Sequence, residues 1–210
     1  MMRARALSLA LLLALAGQAR AGTVEAHVSS PGGQPVADAA VVLEPLSPSR
    51  LRPGARATIE QRGKEFIPYV TVVQTGTAVE FPNNDTIRHH VYSFSAPKRF
   101  EIKLYAGRPG QPVVFDKPGE VVIGCNIHDW MEAYVLVVES PYFARTTADG
   151  KALIANVPAG RYRLQLWHPL QKAQQAARDI EIAVTPAPLK LVMDVKARER
   201  KPRTEDADSY

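Results

Sequence analysis

Residues 124–131 read Gly-Cys-Asn-Ile-His-Asp-Trp-Met and carry the most informative pattern in this chain of 210 residues. Cys125 is the only cysteine, and His128 and Met131 follow it at intervals of three residues. A thiolate, an imidazole and a thioether therefore lie on one short segment. Together with a second imidazole, these are the donors of a His₂Cys(Met) copper site. The pattern predicts a metal site whose fourth ligand comes from elsewhere in the chain.

The second imidazole can come from His89 or His90, which stand side by side upstream. Neighbouring residues of a β-strand point to opposite faces, so one of the two would face the metal and the other would face away. Val91 and Ser93 share the face of His89, whereas Tyr92 shares that of His90. This pattern alone leaves the choice between the two histidines open.

The N-terminus has the design of a secretory signal peptide. Its start is basic, residues 7–16 are apolar but too short to span a bilayer, and Ala-Arg-Ala at 19–21 fits a cleavage site. We expect residues 1–21 to be removed on export, leaving a periplasmic protein without a membrane span. Exported proteins usually carry cysteines in pairs, so the lone Cys125 is buried and inert, free and reactive, or bound to metal.

The charge balance gives no support to nucleic-acid binding. Three of the 26 Lys and Arg residues lie within the predicted signal peptide, so 23 remain against 21 Asp and Glu residues. The mature protein would therefore carry a net charge of about +2. Much of the remaining positive charge lies in residues 196–210, where aromatic residues are scarce. This composition predicts a disordered, charged tail.

The body of the chain is rich in short β-branched and aromatic runs. Examples are Val-Thr-Val-Val at 70–73, Glu-Val-Val-Ile at 120–123 and Tyr-Val-Leu-Val-Val at 134–138. Gly, Pro, Asn and Asp separate these runs, as in Lys-Pro-Gly at 117–119. Such runs at such spacing predict an all-β fold of the sandwich or barrel type.

Residues 56–139 resemble a cupredoxin, the small blue-copper fold of plastocyanin and amicyanin. The matching segments are 79–91, which reads Val-Glu-Phe-Pro-Asn-Asn-Asp-Thr-Ile-Arg-His-His-Val, and 115–131. In the family, the first copper histidine stands four residues after the Asp of an Asn-x-Asp loop, which favours His89 here. The Cys-x-x-His-x-x-Met spacing resembles the short-loop version found in amicyanin. Arg-His-His-Val-Tyr-Ser-Phe at 88–94 and Gly-Cys-Asn-Ile-His-Asp at 124–129 resemble a methylamine-utilisation-like group of cupredoxins.

The resemblance implies a Greek-key β-sandwich in which His89, Cys125, His128 and Met131 hold one copper ion. Four protein ligands leave no open position for a substrate, so we expect no enzyme activity. The implied function is single-electron transfer with a redox partner such as a dehydrogenase, a cytochrome c or an oxidase, and with an exposed edge of His128 as the exit. Two alternatives stay open: copper storage without a redox circuit, and a carbohydrate-binding or adhesion protein with a vestigial metal site.

Two further segments resemble the carboxypeptidase regulatory-like domain, a transthyretin-like β-sandwich. They are residues 33–43 and 146–166, and the corresponding pieces are consecutive in that family. We therefore expect one discontinuous sandwich made of residues 22–50 and 140–195, with the copper domain at 56–139 inserted into it.

Overall fold

The computed structural model describes residues 21–48 and 55–198, and these residues form strands, turns and loops without a helix. The prediction of an all-β fold is confirmed. The predicted signal peptide up to residue 20 and the tail from residue 199 lie outside the described residues. In the described part, no helix is long and apolar enough to cross a membrane. The described strands are β1 (Ala21–Ser29), β2 (Ala40–Pro45), β3 (Arg56–Thr58), β4 (Glu60–Gln61), β5 (Phe66–Ile67), β6 (Val70–Gln74), β7 (Thr77–Glu80), β8 (His89–Ser93), β9 (Phe100–Tyr105), β10 (Val113–Phe115), β11 (Gly119–Gly124), β12 (Glu132–Val138), β13 (Phe143–Arg145), β14 (Lys151–Pro158), β15 (Gly160–Trp167), β16 (Arg178–Ile182) and β17 (Leu189–Val192).

The first two strands pair with strands from the end of the chain. A three-stranded sheet has the order β14-β1-β17, and a four-stranded sheet has the order β13-β2-β15-β16. Strands β1 and β2 thus pair across the whole middle segment, which is the pairing that an inserted domain requires. The division of the chain into domains stays a prediction.

The alternation of side chains along β1 explains how these two sheets pack. Val24, Ala26 and Val28 are buried on one face, while the residues between them are partly exposed. They join a core cluster with residues of the four-stranded sheet, including Leu43 and Leu164. A period of two with one buried face is the pattern of a strand whose sheet is covered on one face only. We call this pair of sheets the flanking sandwich.

The middle segment forms a second pair of sheets around its own core. Its larger sheet has the order β6-β12-β11-β8-β9, and its smaller sheet has the order β10-β7-β3, with the short hairpin β4-β5 beside them. Strands that are distant in sequence lie side by side, β6 next to β12 and β8 next to β11, as Greek-key connections require. We call this part the central sandwich.

Pairing in the larger sheet determines where the predicted metal ligands meet. Strand β11 ends at Gly124, which pairs with Tyr92 of β8, and the loop after it leads into β12. The ladder between β8 and β9 contains an irregularity between His89 and Val91. Such bulges re-aim side chains at the ends of sheets. The loop 125–131 and the start of β8 therefore lie at the same end of the sandwich.

Thr146 ties the two parts of the flanking sandwich together. Its fully buried hydroxyl donates to the carbonyl of Val36 at 2.7 Å and accepts the N–H of Ala39 at 2.9 Å. Both partners lie more than 100 residues earlier in the chain. A buried backbone group without a partner costs about 1–3 kcal/mol.

We predict that Thr146→Val, which conserves shape but removes the hydroxyl, lowers the free energy of unfolding by about 2–4 kcal/mol, because two buried backbone groups lose their partner. Urea unfolding followed by circular dichroism measures the change. Thr23→Val, at an exposed position of β1, is the control and should stay within about 0.5 kcal/mol of the parent. Equal midpoints for both variants would contradict the role given to Thr146.

Candidate metal centre

The structure brings three of the predicted ligands together at one end of the central sandwich. One donor atom from each of His89, Cys125 and His128 lies within 4.8 Å of the other two. The Sγ of Cys125 is 3.9 Å from Nδ1 of His128, and the two imidazole centroids are 5.0 Å apart. All three residues are buried, with 0–4% of their surface exposed. Buried polar groups are costly unless they have a partner, and a metal ion is one that this donor set suits.

His89 and His90, the two candidates from the sequence, have opposite orientations on β8. His89 shares the inner face of β8 with the buried Val91 and Ser93. The Nε2 of His90 lies 3.0 Å from the carboxylate of Glu101, and its ring packs against Tyr92 on the outer face. The cluster with Cys125 and His128 therefore contains His89.

The loop 125–131 is closed by two backbone hydrogen bonds. Met131 donates its N–H to the carbonyl of His128 at 2.9 Å, and its carbonyl accepts the N–H of Cys125 at 3.3 Å. The side chain of Met131 is buried in the same core cluster as Cys125. The short spacing thus places the side chains of Cys125, His128 and Met131 in one compact turn.

Asp85 positions the imidazole of His89. The Nε2 of His89 donates to Oδ2 of Asp85 at 2.7 Å. The other ring nitrogen, Nδ1, is buried and has no hydrogen-bond partner among the described residues. A carboxylate on one imidazole nitrogen fixes the tautomer and leaves the other nitrogen as the ligand atom. A buried nitrogen without a partner, on a residue that clusters with Cys125 and His128, fits a copper ion.

The turn between β4 and β5 holds Asp85 in place. Its carboxylate accepts the backbone N–H of Gly63 at 2.6 Å and that of Lys64 at 2.9 Å. Burial pushes the pKa of this carboxyl group upward, but the hydrogen bonds from the turn and from His89 outweigh it and hold the pKa below its usual value. The lowered pKa favours the ionised form of Asp85, which accepts the hydrogen bond from His89.

The same turn also supports the second imidazole. The carbonyl of Lys64 accepts the indole N–H of Trp130 at 3.1 Å, and the Trp130 ring packs against His128 with centroids 5.0 Å apart. Gly63 and Lys64 both have positive φ angles, 62° and 57°, as a tight primed hairpin turn requires. One turn thus braces both histidines, a feature that no motif in the sequence indicated.

Asn83 shapes the loop that leads to His89. Its side-chain amide donates to the carbonyls of Ile87 and Tyr105, each at 2.8 Å. Its Oδ1 accepts the N–H of Asp85 at 3.0 Å. These bonds explain the physical role of the Asn-x-Asp loop, which is to set the position of Asp85 relative to β8.

The expected exit for electrons at an exposed edge of His128 is wrong. His128 has 0% of its surface exposed, because its ring lies beneath Trp130 and within the core of the central sandwich. Spacing identified the residue correctly as a member of the cluster but carried no information about what covers it.

We predict that Asp85→Ala weakens copper affinity about 10–100-fold, because His89 loses the carboxylate that orients its ring. Competition with a chelator of known affinity measures the change. Asp116→Ala removes an exposed carboxylate that pairs with Lys98 at 2.9 Å and should leave the affinity unchanged. If both variants bind copper as tightly as the parent, Asp85 has no role in positioning the ligand.

No family model matches the chain, and no curated protein matches it in sequence. Among solved structures, a copper-containing nitrite reductase from Thermus scotoductus is 28% identical over 53% of this chain and 27% of its own, with a TM-score of 0.39. A purple cupredoxin from Nitrosopumilus maritimus is 21% identical over 39% of this chain and 99% of its own, with a TM-score of 0.35. An oxidized mutant of amicyanin is 14% identical over 39% of this chain and 80% of its own, with a TM-score of 0.36.

This chain therefore matches only about a quarter of the length of the nitrite reductase. All three TM-scores are below 0.5, so the chemistry of the site is inferred from its own residues. The neighbours include cupredoxins, and the described residues hold a buried His-Cys-His cluster. On its own residues, the chain is an all-β protein whose buried sulfur and nitrogen donors suit copper.

Proposed function

We propose that this chain is a type 1 copper protein that carries single electrons, with copper held by His89, Cys125, His128 and Met131. The observation that carries the proposal is the convergence of three buried donor atoms within 4.8 Å of one another. Bound copper supplies a one-electron couple between Cu(I) and Cu(II). The buried methionine beside the cluster supports its assignment as the weak axial ligand.

The bracing of the ligands favours electron transfer over storage. Asp85 fixes His89, the carbonyl of Lys64 fixes Trp130 above His128, and two backbone bonds close the ligand loop. A site held this firmly changes little when it gains or loses an electron, which lowers the barrier to transfer. A protein that stores or delivers copper must release the ion, and a rigidly held set of ligands opposes that release.

The proposal also covers the cellular setting and the class of protein. Four protein donors leave no open coordination position for a substrate, so the chain acts as a carrier and not as an enzyme. Export through the signal peptide at residues 1–21 would bring it to the periplasm. Its partners there would be a dehydrogenase on one side and a cytochrome c or an oxidase on the other.

We predict that one equivalent of Cu(II) turns the purified mature protein intensely blue through thiolate-to-copper charge transfer. Cys125→Ser and His89→Asn should lose the colour, because each removes a ligand. The matched control His90→Asn should keep it, since the ring of His90 lies on the opposite face of β8. Visible absorption and electron spin resonance are the measurements. A blue His89→Asn variant would exclude His89 as a ligand.

We predict that Met131→Leu keeps the blue colour but raises the reduction potential, since a weak axial donor to Cu(II) is lost. Voltammetry of the two proteins measures the shift. Met193→Leu replaces an equally buried methionine in the core of the flanking sandwich and should leave the potential unchanged. An unchanged potential in the Met131 variant would remove it from the ligand set.

A further inference from the structure

An open cleft lies on the outer face of the five-stranded sheet, beside the ligand loop, and has a volume of about 550 Å³. We call it the outer cleft. Cys125 and Met131 line its floor, and its rim includes Tyr92, Phe94 and the carboxylates of Asp129 and Glu132. Since His128 is fully buried, the outer cleft is a place where the surroundings of the protein come close to the candidate metal ligands.

The rim of the outer cleft exposes apolar surface. Phe94 is 79% exposed and Val122 is 37% exposed. The ring of Phe94 packs against that of Tyr92 with centroids 5.1 Å apart, and Tyr92 in turn packs against His90. A single exposed apolar residue is ordinary, but a group of adjacent ones beside a functional site marks an interaction surface.

Tyr92 connects this surface to the ligand loop through a glycine. Gly124 pairs with Tyr92 and directly precedes Cys125. A Cβ atom at position 124 would lie 3.0 Å from Cζ and 3.1 Å from the hydroxyl oxygen of Tyr92. The absence of a side chain therefore lets the tyrosine ring lie directly on the backbone next to Cys125.

The charges of the outer cleft have one sign. Asp129 and Glu132 are the only described lining residues that are charged at neutral pH. The carboxylate of Glu132 accepts the hydroxyl of Tyr134 at 2.7 Å, which holds it in position. Glu101, whose side chain is 57% exposed, pairs with Tyr92 in the neighbouring strand. A surface of this kind attracts cationic partners and accelerates their encounter.

We propose that the outer cleft is the docking site of a redox protein that presents Lys or Arg residues around its own redox centre. This inference rests on the proposed electron-carrier function. It adds which face of this chain binds the partner and which charge the partner carries there. The basic residues meet Asp129 and Glu132, an apolar patch of the partner covers Phe94, and the electron crosses on the Cys125 side. A partner centre such as haem iron(III) is reduced to iron(II) as Cu(I) becomes Cu(II), and no proton is transferred.

The docking site is tested first on the metal-free protein, with redox-inert hexaamminechromium(III) as a cationic probe. Its paramagnetism should broaden the amide NMR signals of Tyr92, Phe94, Asp129 and Glu132, whereas anionic hexacyanochromate(III) should not. The double variant Asp129→Asn/Glu132→Gln should weaken this binding about tenfold. The control Asp116→Asn removes an exposed carboxylate elsewhere and should leave the broadening intact. Broadening that avoids the outer cleft, or that survives in the double variant, would overturn the proposal.

The second measurement is the rate at which tris(phenanthroline)cobalt(III) oxidises the Cu(I)-loaded protein. We expect the double variant to slow this reaction about tenfold relative to the parent, and Phe94→Ala to slow it several-fold. Leu153→Ala, at a 65% exposed position of the flanking sandwich, should leave the rate unchanged. Unchanged rates in both cleft variants would overturn the proposal, as would dimer formation through Phe94, which would make a second copy the occupant.

The two measurements separate this inference from the function on which it rests. A protein that binds copper in a blue site but shows no cation binding at the outer cleft would lose the docking site and keep the carrier function. A protein whose outer cleft binds the cationic probe but which forms no blue site would lose the carrier function, and with it the redox role of the cleft.

Discussion

The contact between Asp85 and His89 is the interaction on which the site depends. A buried imidazole has two nitrogens, and the carboxylate at 2.7 Å from Nε2 leaves Nδ1 for the cluster. The same carboxylate is held by two N–H groups of the turn between β4 and β5. Loss of this contact would leave an unpaired polar ring in the core and would release the turn that supports the other imidazole.

The strands of the central sandwich hold the candidate ligands in a rigid frame. His89 begins β8, Cys125 follows β11 directly, and the ligand loop returns into β12, whose residues Ala133, Val135 and Val137 are buried in the core. The ladder between β11 and β12 keeps the two ends of the loop adjacent. A redox site benefits from such a frame, because the protein has little to rearrange when the charge of the metal changes.

Several features of the site were predictable from the sequence because they are local. Cys125 and His128 lie on the same loop, so their spacing is visible in a short stretch of sequence. The β-strands are predicted from apolar runs that turn residues separate. The orientation of His89 depended on strand register, which the neighbouring residues left open and the Asp spacing favoured. The hydrogen bond from Trp130, which covers His128, to the carbonyl of Lys64 joins residues 66 positions apart. No motif carries that information, because it arises only when the hairpin packs onto the ligand loop.

X-ray absorption at the copper edge of the loaded mature protein tests the central claim most directly. The claim is that the folded chain presents a preformed set of sulfur and nitrogen donors to one metal ion. We expect one short copper–sulfur bond and two nitrogen atoms bound to copper, with the short sulfur contribution absent in Cys125→Ser. A spectrum that contains only oxygen and nitrogen neighbours in the parent protein would contradict the account.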